Sequence, residues 1–485
     1  MMFTDNLINK NKMFLAGEWV SRDKSIEVLD PQDHSLITTV PAANERDVIY
    51  TIEEAKKGVK IAADMSTHER IAILHRAADW IFENKERYAT TIAREGSKTI
   101  KEARKEVLRC IETLRISAEE ARRINGETIS FDQMPGSEDR IGYYYRFPIG
   151  IIVAITPFND PLNLVAHKVG PAIAAGNAII VKPATVTPLS ALLLAEAFEK
   201  AGLPPKVLSV ITGRPSDMGD SLITHSAIRM ISFTGGLATG KAIIQKAGLK
   251  KICMELGSNS PVIVLKDADL EEAVKSTVSG AFWAAGQNCL GVQRIYVQEG
   301  IYHDFIGKFI DRTQQYRVGD KLLEETDMGP MISEKEAKRV ESWVNEAVEK
   351  GAKLLCGGKR EGSFYQPTVL VNVPENCKLA TEEVFGPVVT IYNVPDLDTA
   401  ISQSNSVDFG LQAGIFTRDL DKALRAIRKL DVGGVMVNDS SDYRIDAMPF
   451  GGVKGSGLGR EGIKFALQEM TEPKVVCFKV NNKTI

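Results

Sequence analysis

Residues 230–241 read MISFTGGLATGK, and this stretch indicates the fold more clearly than any other part of the chain. An apolar run of strand character, 230–233, leads into a turn that contains Gly235 and Gly236. Glycines let backbone N–H groups come close to a bound anion, and the start of the helix that follows adds partial positive charge. The stretch therefore predicts a strand, a phosphate-binding loop and a helix. Its Gly-x-x-x-x-Gly spacing, which ends at Gly240, is weak evidence by itself.

The sequence on both sides of this loop alternates apolar strands with helical patterns. Apolar strands separated by helices are typical of a parallel sheet covered on both faces, and ligands then bind beyond the carboxyl ends of the strands. A second series of the same kind follows Leu270. The chain is therefore predicted to be an α/β protein. The first series has predicted strands at 150–155, 178–182, 207–211, 230–233 and 262–264, and predicted helices at 189–201 and 239–249.

At 485 residues the chain is long enough for two or three domains. Its 44% apolar and 25% charged residues are close to the average for soluble globular proteins, and a formal charge of -3 gives no support to nucleic-acid binding. The longest apolar runs are shorter than the roughly 20 residues that span a bilayer. We therefore expect neither a nucleic-acid partner nor a membrane segment.

The six cysteines are scattered without the Cys-x-x-Cys spacing of many zinc sites. They do not suggest a disulfide framework either, and they fit a reducing compartment. The polar residues 1–12 lack the apolar segment of a signal peptide. The sequence therefore predicts a cytoplasmic protein that holds no metal ion.

Two other stretches carry residues that could perform chemistry. Residues 282–294 read FWAAGQNCLGVQR, which places Cys289 in a turn just before a strand. Residues 254–261 read MELGSNSP, which places Glu255 ahead of small, turn-forming residues. A thiol in such a turn can reach a substrate, although an isolated cysteine is more often a small buried hydrophobe. A carboxylate next to a loop is a candidate base.

These two stretches resemble the catalytic signatures of the aldehyde dehydrogenase superfamily, Glu-Leu-Gly-Gly and Gly-Gln-x-Cys. The resemblance extends over nearly the whole chain and includes the glycine-rich loop at 451–462. It implies an α/β, aldehyde dehydrogenase-like fold with a Rossmann-like cofactor domain, an α/β catalytic domain and a β oligomerisation hairpin, assembled as a homodimer or homotetramer. The implied boundaries are 1–124 and 148–254 for the NAD(P)-binding domain, 255–462 for the catalytic domain, and 125–147 and 470–485 for the oligomerisation segments.

The resemblance also implies the chemistry. A thiolate can add to an aldehyde, the adduct can pass a hydride to nicotinamide, and the thioester that remains needs water. By this match Cys289 is the nucleophile, Glu255 activates the thiol or the water, and Asn159 stabilises the oxyanion beside the Cys289 N–H. Lys168 and Glu461 match a buried pair proposed to relay protons, and a purely structural ion pair is the open alternative.

The cofactor implied by the resemblance is NAD or NADP. Lys182 matches a lysine that binds the adenosine ribose, while Glu383 and Phe385 match residues that hold the nicotinamide ribose and back its ring. Thr185 stands where many NAD-specific members have a glutamate that repels a 2′-phosphate, so NADP is permitted and NAD is not excluded. Gly236 replaces a phosphate-binding serine. The full set of implied cofactor contacts is Thr156, Pro157, Phe158, Lys182, Thr185, Gly213, Phe233, Gly235, Gly236, Gly240, Glu255, Leu256, Glu383 and Phe385.

The implied substrate contacts are Arg109, Asn159, Arg444 and Phe450. Arg109 resembles the position that holds phosphate in non-phosphorylating glyceraldehyde-3-phosphate dehydrogenases, and Arg444 precedes the Pro-Phe-Gly-Gly loop that contains Phe450. Two guanidinium groups would favour an anionic tail through charge-assisted hydrogen bonds. The alternative is that each pairs with a nearby acid, for example Arg109 with Glu106 or Glu112 of its own helix. We expect a small anionic or hydroxylated aldehyde, of the lactaldehyde, glyceraldehyde 3-phosphate, sulfolactaldehyde or semialdehyde type.

Two other functions remain open at this point. CoA-acylating relatives generally lack a carboxylate at the position of Glu255, because they must protect the thioester from water; its presence favours hydrolysis to the free acid. A non-catalytic protein that kept the fold is the second alternative. Cys289, Glu255 and Asn159 argue against it, because a scaffold needs none of them.

Overall fold

The computed structural model describes residues 11–480, which form two large sheets flanked by helices. The ends of the predicted cofactor domain and of the second oligomerisation segment, 1–10 and 481–485, lie outside the described residues. The helices are Glu45–Asp64, Thr67–Glu83, Lys85–Glu95, Ile100–Ala121, Asn163–Ala174, Leu189–Lys200, Pro215–Met218, Ser221–Thr224, Leu237–Ala247, Leu270–Phe282, Tyr302–Gln314, Glu334–Glu349, Lys378–Thr381, Leu397–Asn405, Leu420–Lys429 and Ile463–Glu469, with 3₁₀ turns at Phe131–Gln133 and Trp283–Gly286. The strands are Met13–Leu15, Glu18–Val20, Ser25–Leu29, Leu36–Pro41, Glu127–Ile129, Arg140–Pro148, Ile151–Ile155, Ala178–Lys182, Leu208–Val210, Ile228–Thr234, Lys251–Glu255, Ser260–Val264, Val292–Gln298, Lys353–Cys356, Arg360–Glu361, Phe364–Tyr365, Thr368–Val371, Val388–Val394, Phe409–Gly410, Gln412–Phe416, Gly434–Val437, Val453–Lys454, Gly457–Leu458 and Thr471–Lys479.

The first sheet has eight strands, and the strand before the glycine-rich loop, Ile228–Thr234, lies near its centre. Its neighbours Ile151–Ile155 and Lys251–Glu255 both run parallel to it. Strand Ile151–Ile155 is apolar and buried along almost its whole length, and the other two strands are buried mainly toward their carboxyl ends, because helices cover both faces of the sheet. Their carboxyl ends therefore meet at one edge of the sheet, where Thr234 and Glu255 lie.

The second sheet has seven strands, and Ser260–Val264 lies inside it between Val292–Gln298 and Gln412–Phe416. The prediction that residues 262–264 continue the first series of strands is therefore wrong. The chain leaves the first sheet after Glu255 and enters the second at Ser260. An apolar strand has the same sequence pattern in either sheet, so periodicity could not assign it. The predicted domain boundaries stay a prediction. The chain passes from the first sheet to the second close to the predicted boundary between residues 254 and 255.

Two helices of the first half carry no clear sequence signal, and neither was predicted. In Asn163–Ala174 every residue is buried, so no polar stripe marks the helical period. Lys85–Glu95 follows the preceding helix after the single residue Asn84, which leaves no loop to mark its start. By contrast, helix Ile100–Ala121 begins with a clear capping box, in which Thr99 and Glu102 satisfy each other's backbone N–H groups.

A small antiparallel sheet lies apart from the two large ones and contains the predicted hairpin. Arg140–Pro148 pairs with Glu127–Ile129 on one side and with Thr471–Lys479 on the other. The predicted oligomerisation segments 125–147 and 470–485 thus pair with each other within one chain. Among the exposed apolar side chains of this sheet are Tyr145 and Val475. The structure contains no helix within residues 11–480 that is both long and apolar enough to cross a membrane.

Candidate active site

Cys289 lies in a tightly held turn between the two sheets. The preceding residues Ala284 and Ala285 have φ angles of 50° and 55°, which is the left-handed region that alanine seldom adopts. The Gln287 side chain braces the turn by donating to the Ala284 carbonyl over 3.0 Å and accepting from the Ile332 N–H over 2.9 Å. A Cβ at Gly286 would lie 2.1 Å from a backbone oxygen, so the turn requires glycine there.

Two cavities meet at this cysteine. One has a volume of about 440 Å³ and the other about 520 Å³. Both are lined by Asn159, Leu164, Gln287 and Cys289. A molecule in either cavity can therefore reach the sulfur, which is the arrangement that a reaction between two bound molecules requires.

Hydrogen-bond donors are free beside the sulfur. Within residues 11–480, neither the backbone N–H of Cys289 nor the side-chain amide of Asn159 makes a hydrogen bond. Two N–H donors directed at one cavity can stabilise negative charge that develops on an oxygen during acyl transfer. Asn159 lines both cavities, and its role in stabilising an oxyanion stays a prediction.

Burial controls the ionisation of the cysteine. Loss of water around the thiol raises the pKa of Cys289 to about 12; the Arg444 guanidinium opposes this increase, and the carboxylates of Glu383 and Glu255 add to it. At neutral pH the thiol is therefore protonated. Because the thiolate is the nucleophile, a nearby base must accept this proton.

Glu255 has the properties of such a base. It ends strand Lys251–Glu255 and is 3% exposed, and within residues 11–480 neither of its carboxylate oxygens has a hydrogen-bond partner. Burial is the main cause that raises the pKa of Glu255 well above its ordinary value, and the negative charge of Glu461 adds to this effect. A carboxylate that is unsatisfied and hard to ionise accepts a proton readily. Glu255 lines the larger of the two cavities, next to Cys289.

Lys168 and Glu461 form a buried ion pair behind Glu255. The Lys168 Nζ atom is 2.8 Å from Glu461 Oε1 and also donates to Ser232 Oγ over 2.9 Å. Burial disfavours the charged carboxylate, but Lys168 and Arg444 outweigh this effect and lower the pKa of Glu461 to about 2. Neither partner lines the two cavities at Cys289. The pair is placed to fix the charge around Glu255, and its assignment as a proton relay stays a prediction.

The 520 Å³ cavity contains groups that suit part of a dinucleotide. The helix Leu237–Ala247 starts at Gly236 without a side-chain cap, so its first N–H groups are open to an anion. A Cβ at Gly236 would meet nothing within 4 Å, so space remains where the family has serine. The buried hydroxyls of Thr156 and Thr234 have no hydrogen-bond partner among residues 11–480. Ten predicted cofactor residues line this cavity: Thr156, Pro157, Phe158, Phe233, Gly235, Gly236, Glu255, Leu256, Glu383 and Phe385.

Four other predicted cofactor residues do not line that cavity. Lys182, Thr185 and Gly213 lie together, because the Thr185 hydroxyl donates to Gly213 O over 3.3 Å and accepts from Lys182 Nζ over 3.1 Å. Burial lowers the pKa of Lys182 to about 8. A Cβ at Gly240 would lie 2.5 Å from the Leu256 side chain, so this glycine allows the helix to pack on Leu256. Their roles in cofactor binding stay predictions.

Arg109 and Arg444 both line the 440 Å³ cavity, but each is already paired with an acid. Arg109 donates to Asp446 over 2.8 Å and to Asp160 over 3.4 Å, so the suggested partners Glu106 and Glu112 are wrong. An arginine reaches acids across the fold as easily as along its helix, and sequence spacing indicates only the second.

Arg444 is held in the same way. Its Nη2 atom is 3.4 Å from Glu461 Oε2, and its guanidinium lies 3.7 Å from the centre of the Phe450 ring. Phe450 is buried beneath this cation and does not line the cavity, so its predicted contact with the substrate stays untested.

Several residues that shape the two cavities were not identified from the sequence. Asp446 is hydrogen-bonded to Arg109, His167 and Asn163. Burial raises the pKa of Asp446, but the interactions with His167 and with the Arg109 guanidinium outweigh burial and hold this pKa well below its ordinary range. Trp343 and Arg339 line the larger cavity from helix Glu334–Glu349. The Arg339 guanidinium lies 4.8 Å from the centre of the Trp343 ring. Two residues four positions apart occur on any exposed helix face, so this spacing does not indicate a cofactor site. No local signal marked them.

Comparison with known proteins agrees with this arrangement. The model of the Aldehyde dehydrogenase family matches residues 19–476. The chain belongs to the aldehyde dehydrogenase family. It is 50% identical to aspartate-semialdehyde dehydrogenase 1 of Pseudomonas canavaninivorans, with 94% of this chain and 97% of that one covered. It is 47% identical to 3-sulfolactaldehyde dehydrogenase of Priestia aryabhattai, with coverages of 96% and 98%.

A solved structure gives the same result for the fold. The glyceraldehyde-3-phosphate dehydrogenase GapN of Methanocaldococcus jannaschii, complexed with NADP, has a TM-score of 0.91 and 40% identity, with 95% of this chain and 100% of that one covered. The predicted family and the predicted α/β fold are thus confirmed, and the protein is an enzyme of the dehydrogenase class. A nicotinamide cofactor, NAD or NADP, is confirmed at the level of the family.

Proposed function

We propose that this protein oxidises a small anionic or hydroxylated aldehyde to the free carboxylic acid with NAD or NADP, through a thiohemiacetal and a thioester on Cys289. The observation that carries the proposal is the position of Cys289 where two cavities meet, with an unengaged N–H and the Asn159 amide available to the same space.

In the proposed reaction Glu255 accepts the thiol proton as the Cys289 sulfur adds to the aldehyde carbon. The oxygen of the adduct, which becomes negative, accepts hydrogen bonds from the Cys289 N–H and the Asn159 amide. The nicotinamide cofactor, when bound, supplies the acceptor for the hydride that leaves this carbon. Glu255 gives the first proton up to solvent before hydrolysis, and it then takes a proton from water as the resulting hydroxide adds to the thioester carbon. The carbon–sulfur bond breaks, the carboxylic acid leaves, and the Cys289 thiolate recovers its proton from Glu255.

Turnover tests the proposal directly. Absorbance of the reduced cofactor in the near ultraviolet gives the rate, and chromatography identifies the product. We expect free acid. Accumulation of an acyl-CoA in place of the acid, when CoA is added, would favour the CoA-acylating alternative. Absence of cofactor reduction with any short aldehyde would favour a non-catalytic protein.

An anionic substrate is supported by the relatives. The names of the two relatives refer to a semialdehyde that carries one carboxylate and to a sulfonated aldehyde, and the name of the solved structure refers to a phosphorylated aldehyde. In this chain the 440 Å³ cavity has a volume suited to such small molecules and is lined by several cations. For the cofactor, the neutral Thr185 is compatible with NADP, which the solved structure contains, and with NAD.

Replacement of Asn159 by alanine is expected to lower kcat about 100- to 1000-fold, because one of two oxyanion donors is removed. The KM for the aldehyde should change much less, because the donor acts on charge that is greatest in the transition state. Steady-state kinetics measure both quantities. Asn159→Asp is a matched control that keeps the shape, and it should be at least as impaired because it places negative charge beside the oxyanion. An unchanged kcat in Asn159→Ala would contradict the assignment.

Cofactor affinity is expected to depend on the ionisation of Glu383. Burial raises the pKa of Glu383 to about 7, although the Ser258 N–H and Arg339 favour the charged form. An ionised carboxylate accepts hydrogen bonds from a ribose more strongly than a protonated one by about 1 kcal/mol. The dissociation constant of NADP, measured by fluorescence, should therefore rise about fivefold as the pH falls from 8 to 6. In Glu383→Gln the affinity for NADP should be weak but should not fall further as the pH is lowered, because Lys182, whose pKa is about 8, gains positive charge over the same range. Equal weakening at low pH in both proteins would refute this role.

We also propose a cytoplasmic homodimer or homotetramer that uses the small antiparallel sheet as its interface. The support is the exposed apolar side chains of that sheet, among them Ile141, Tyr145, Val475 and Phe478. Apolar surface of this kind on a regular sheet is typical of protein–protein contacts. Light scattering of the intact protein measures the mass of the assembly.

A further inference from the structure

Two buried glutamates of helix Ile100–Ala121 receive hydrogen bonds from two segments that carry residues of the candidate active site. Glu102 is 5% exposed and Glu106 is 2% exposed, and because they are four residues apart they lie on the same face of the helix. Carboxylates are seldom buried in this way unless hydrogen bonds or opposite charges compensate the loss of water. The partners of these two carboxylates therefore explain their burial.

Glu102 fixes the turn that leads to Cys289. Its Oε1 atom accepts the Ala284 N–H over 2.8 Å, and its Oε2 atom accepts the Thr99 N–H over 2.8 Å. Ala284 has a φ of 50°, a conformation that alanine keeps only where its surroundings enforce it. Because each oxygen has its own N–H partner, the carboxylate ties the start of the helix to the turn.

Glu106 fixes the segment that follows Asn159. Its Oε1 atom accepts the N–H groups of Leu162 and Asn163 over 2.8 and 3.0 Å. These N–H groups open the helix Asn163–Ala174, where Leu162 stands at the N-cap position with a side chain that cannot accept a hydrogen bond. Glu106 therefore caps this helix from a neighbouring one, and its negative charge suits the positive end of the helix dipole.

Lys98 connects Glu106 to the residue beside Asn159. The buried Lys98 Nζ atom is 2.8 Å from Glu106 Oε2 and also pairs with Asp160. A positive charge between two carboxylates compensates their burial. The segment after Asn159 is therefore held twice, by this ion pair at Asp160 and by the N–H groups that Glu106 accepts.

The two proposed oxyanion donors belong to different sheets. Asn159 follows strand Ile151–Ile155 of the first sheet, and Cys289 precedes strand Val292–Gln298 of the second. Neither sheet alone therefore fixes the distance between the donors. A displacement of about 1 Å can lower a rate about 100-fold, so a single element that contacts both segments has a direct effect on the reaction.

We infer that Glu102 and Glu106 are positioning residues that set the distance between the two oxyanion donors, the Cys289 N–H and the Asn159 amide. Glu102 holds the turn that leads to the first donor, and Glu106 holds the segment that carries the second. The helix between the two carboxylates is the rigid link. The inference rests on the proposed function, because these donors act on the oxygen of the proposed adduct.

Glu106→Gln tests the link to Asn159, with succinic semialdehyde as the substrate and saturating cofactor. The amide NH₂ group of the variant faces the Lys98 ammonium, so the hydrogen bond between the two side chains is lost. We expect kcat to fall about 10- to 100-fold and KM to stay within about threefold. Glu106→Asp keeps the charge beside Lys98 but is one methylene shorter, so it should show the same loss and serves if the amide variant does not fold.

Coupling to Asn159 separates positioning from a general loss of structure. In the Asn159→Ala background, Glu106→Gln should lower kcat by no more than about threefold, because the donor that Glu106 positions is already gone. Glu102→Gln acts on the other donor and should lower kcat about 10-fold in both backgrounds, since one amide oxygen cannot replace two carboxylate oxygens. An unchanged kcat in Glu106→Gln, or an equal loss in the two backgrounds, would overturn the inference.

Glu95→Gln is the matched control. Glu95 is fully buried and caps helix Leu189–Lys200 by accepting the Leu189 and Ser190 N–H groups over 2.7 Å each, but it lines neither cavity at Cys289. The midpoint of thermal unfolding should fall in this variant as in Glu106→Gln, whereas kcat should stay within about twofold. An equal loss of kcat in the two variants would refute the inference. Failure of the proposed function is distinct, because the unaltered protein would then oxidise no aldehyde.

Discussion

Replacement of Cys289 by alanine is expected to reduce aldehyde oxidation by a factor of about 10⁴ or more, to the level of the background reaction. The expected loss is large because the sulfur forms the bond that holds the substrate while the hydride leaves, and no neighbouring group can take its place. Of the described cysteines, Cys289 is the one that lines both cavities. The rate of cofactor reduction under saturating substrate measures the effect.

The control for this variant is a second cysteine with similar partial burial. Cys356 lies at the edge of the second sheet and lines neither cavity at Cys289, so Cys356→Ala should retain nearly full activity. NADP binding to Cys289→Ala, measured by fluorescence, should remain close to that of the unaltered protein, which separates lost chemistry from lost structure. Dehydrogenase activity retained in Cys289→Ala would rule out the covalent route.

Replacement of Glu255 by glutamine is expected to lower steady-state turnover about 10²- to 10⁴-fold, since general base catalysis is removed. The reaction step that is slowed in Glu255→Gln shows which proton Glu255 removes. If Glu255 mainly activates water, one equivalent of reduced cofactor should appear rapidly and turnover should then stall at the thioester. If it mainly activates the thiol, the first equivalent should also be slow. Stopped-flow absorbance distinguishes the two.

The pH profile gives a second view of the same residue. Burial and Glu461 raise the pKa of Glu255 well above its ordinary value, so the carboxyl group is protonated at low pH and cannot act as a base. The value of kcat/KM should therefore fall as the pH is lowered through the pKa of this group, and Glu255→Gln should lack that limb. If kcat/KM of Glu255→Gln fell at low pH as it does in the unaltered protein, or if the variant kept full turnover, the base would be another residue.

The sequence predicted the elements with strong local patterns. The strand, loop and helix around Gly235 are present because apolar runs, glycines and helix periodicity all indicate the same local structure. The buried helix Asn163–Ala174 could not be predicted in this way, because a helix that is covered on every side has no polar face. The assignment of Ser260–Val264 to the wrong sheet has a related cause, since strand pairing depends on contacts distant in the chain.

The same distinction applies to the site. Cys289, Glu255 and Asn159 could be identified because short motifs carry them, and the structure brings all three to the cavities between the sheets. The partners of Arg109 could not be identified, because Asp160 and Asp446 are distant from it in sequence. The charge available to a substrate depends on which cations are already paired, and that property is visible only in three dimensions.

A thioester that forms between the substrate and Cys289 can be trapped when its hydrolysis is slowed. Glu255→Gln would be mixed with excess succinic semialdehyde and NADP or NAD, quenched in acid within the first turnover, and measured by intact-protein and peptide mass spectrometry. We expect an added mass equal to that of the acyl group, located on Cys289 and absent from the Cys289→Ala, Glu255→Gln double variant. Release of reduced cofactor and acid without any adduct at Cys289, at times shorter than one turnover, would contradict it.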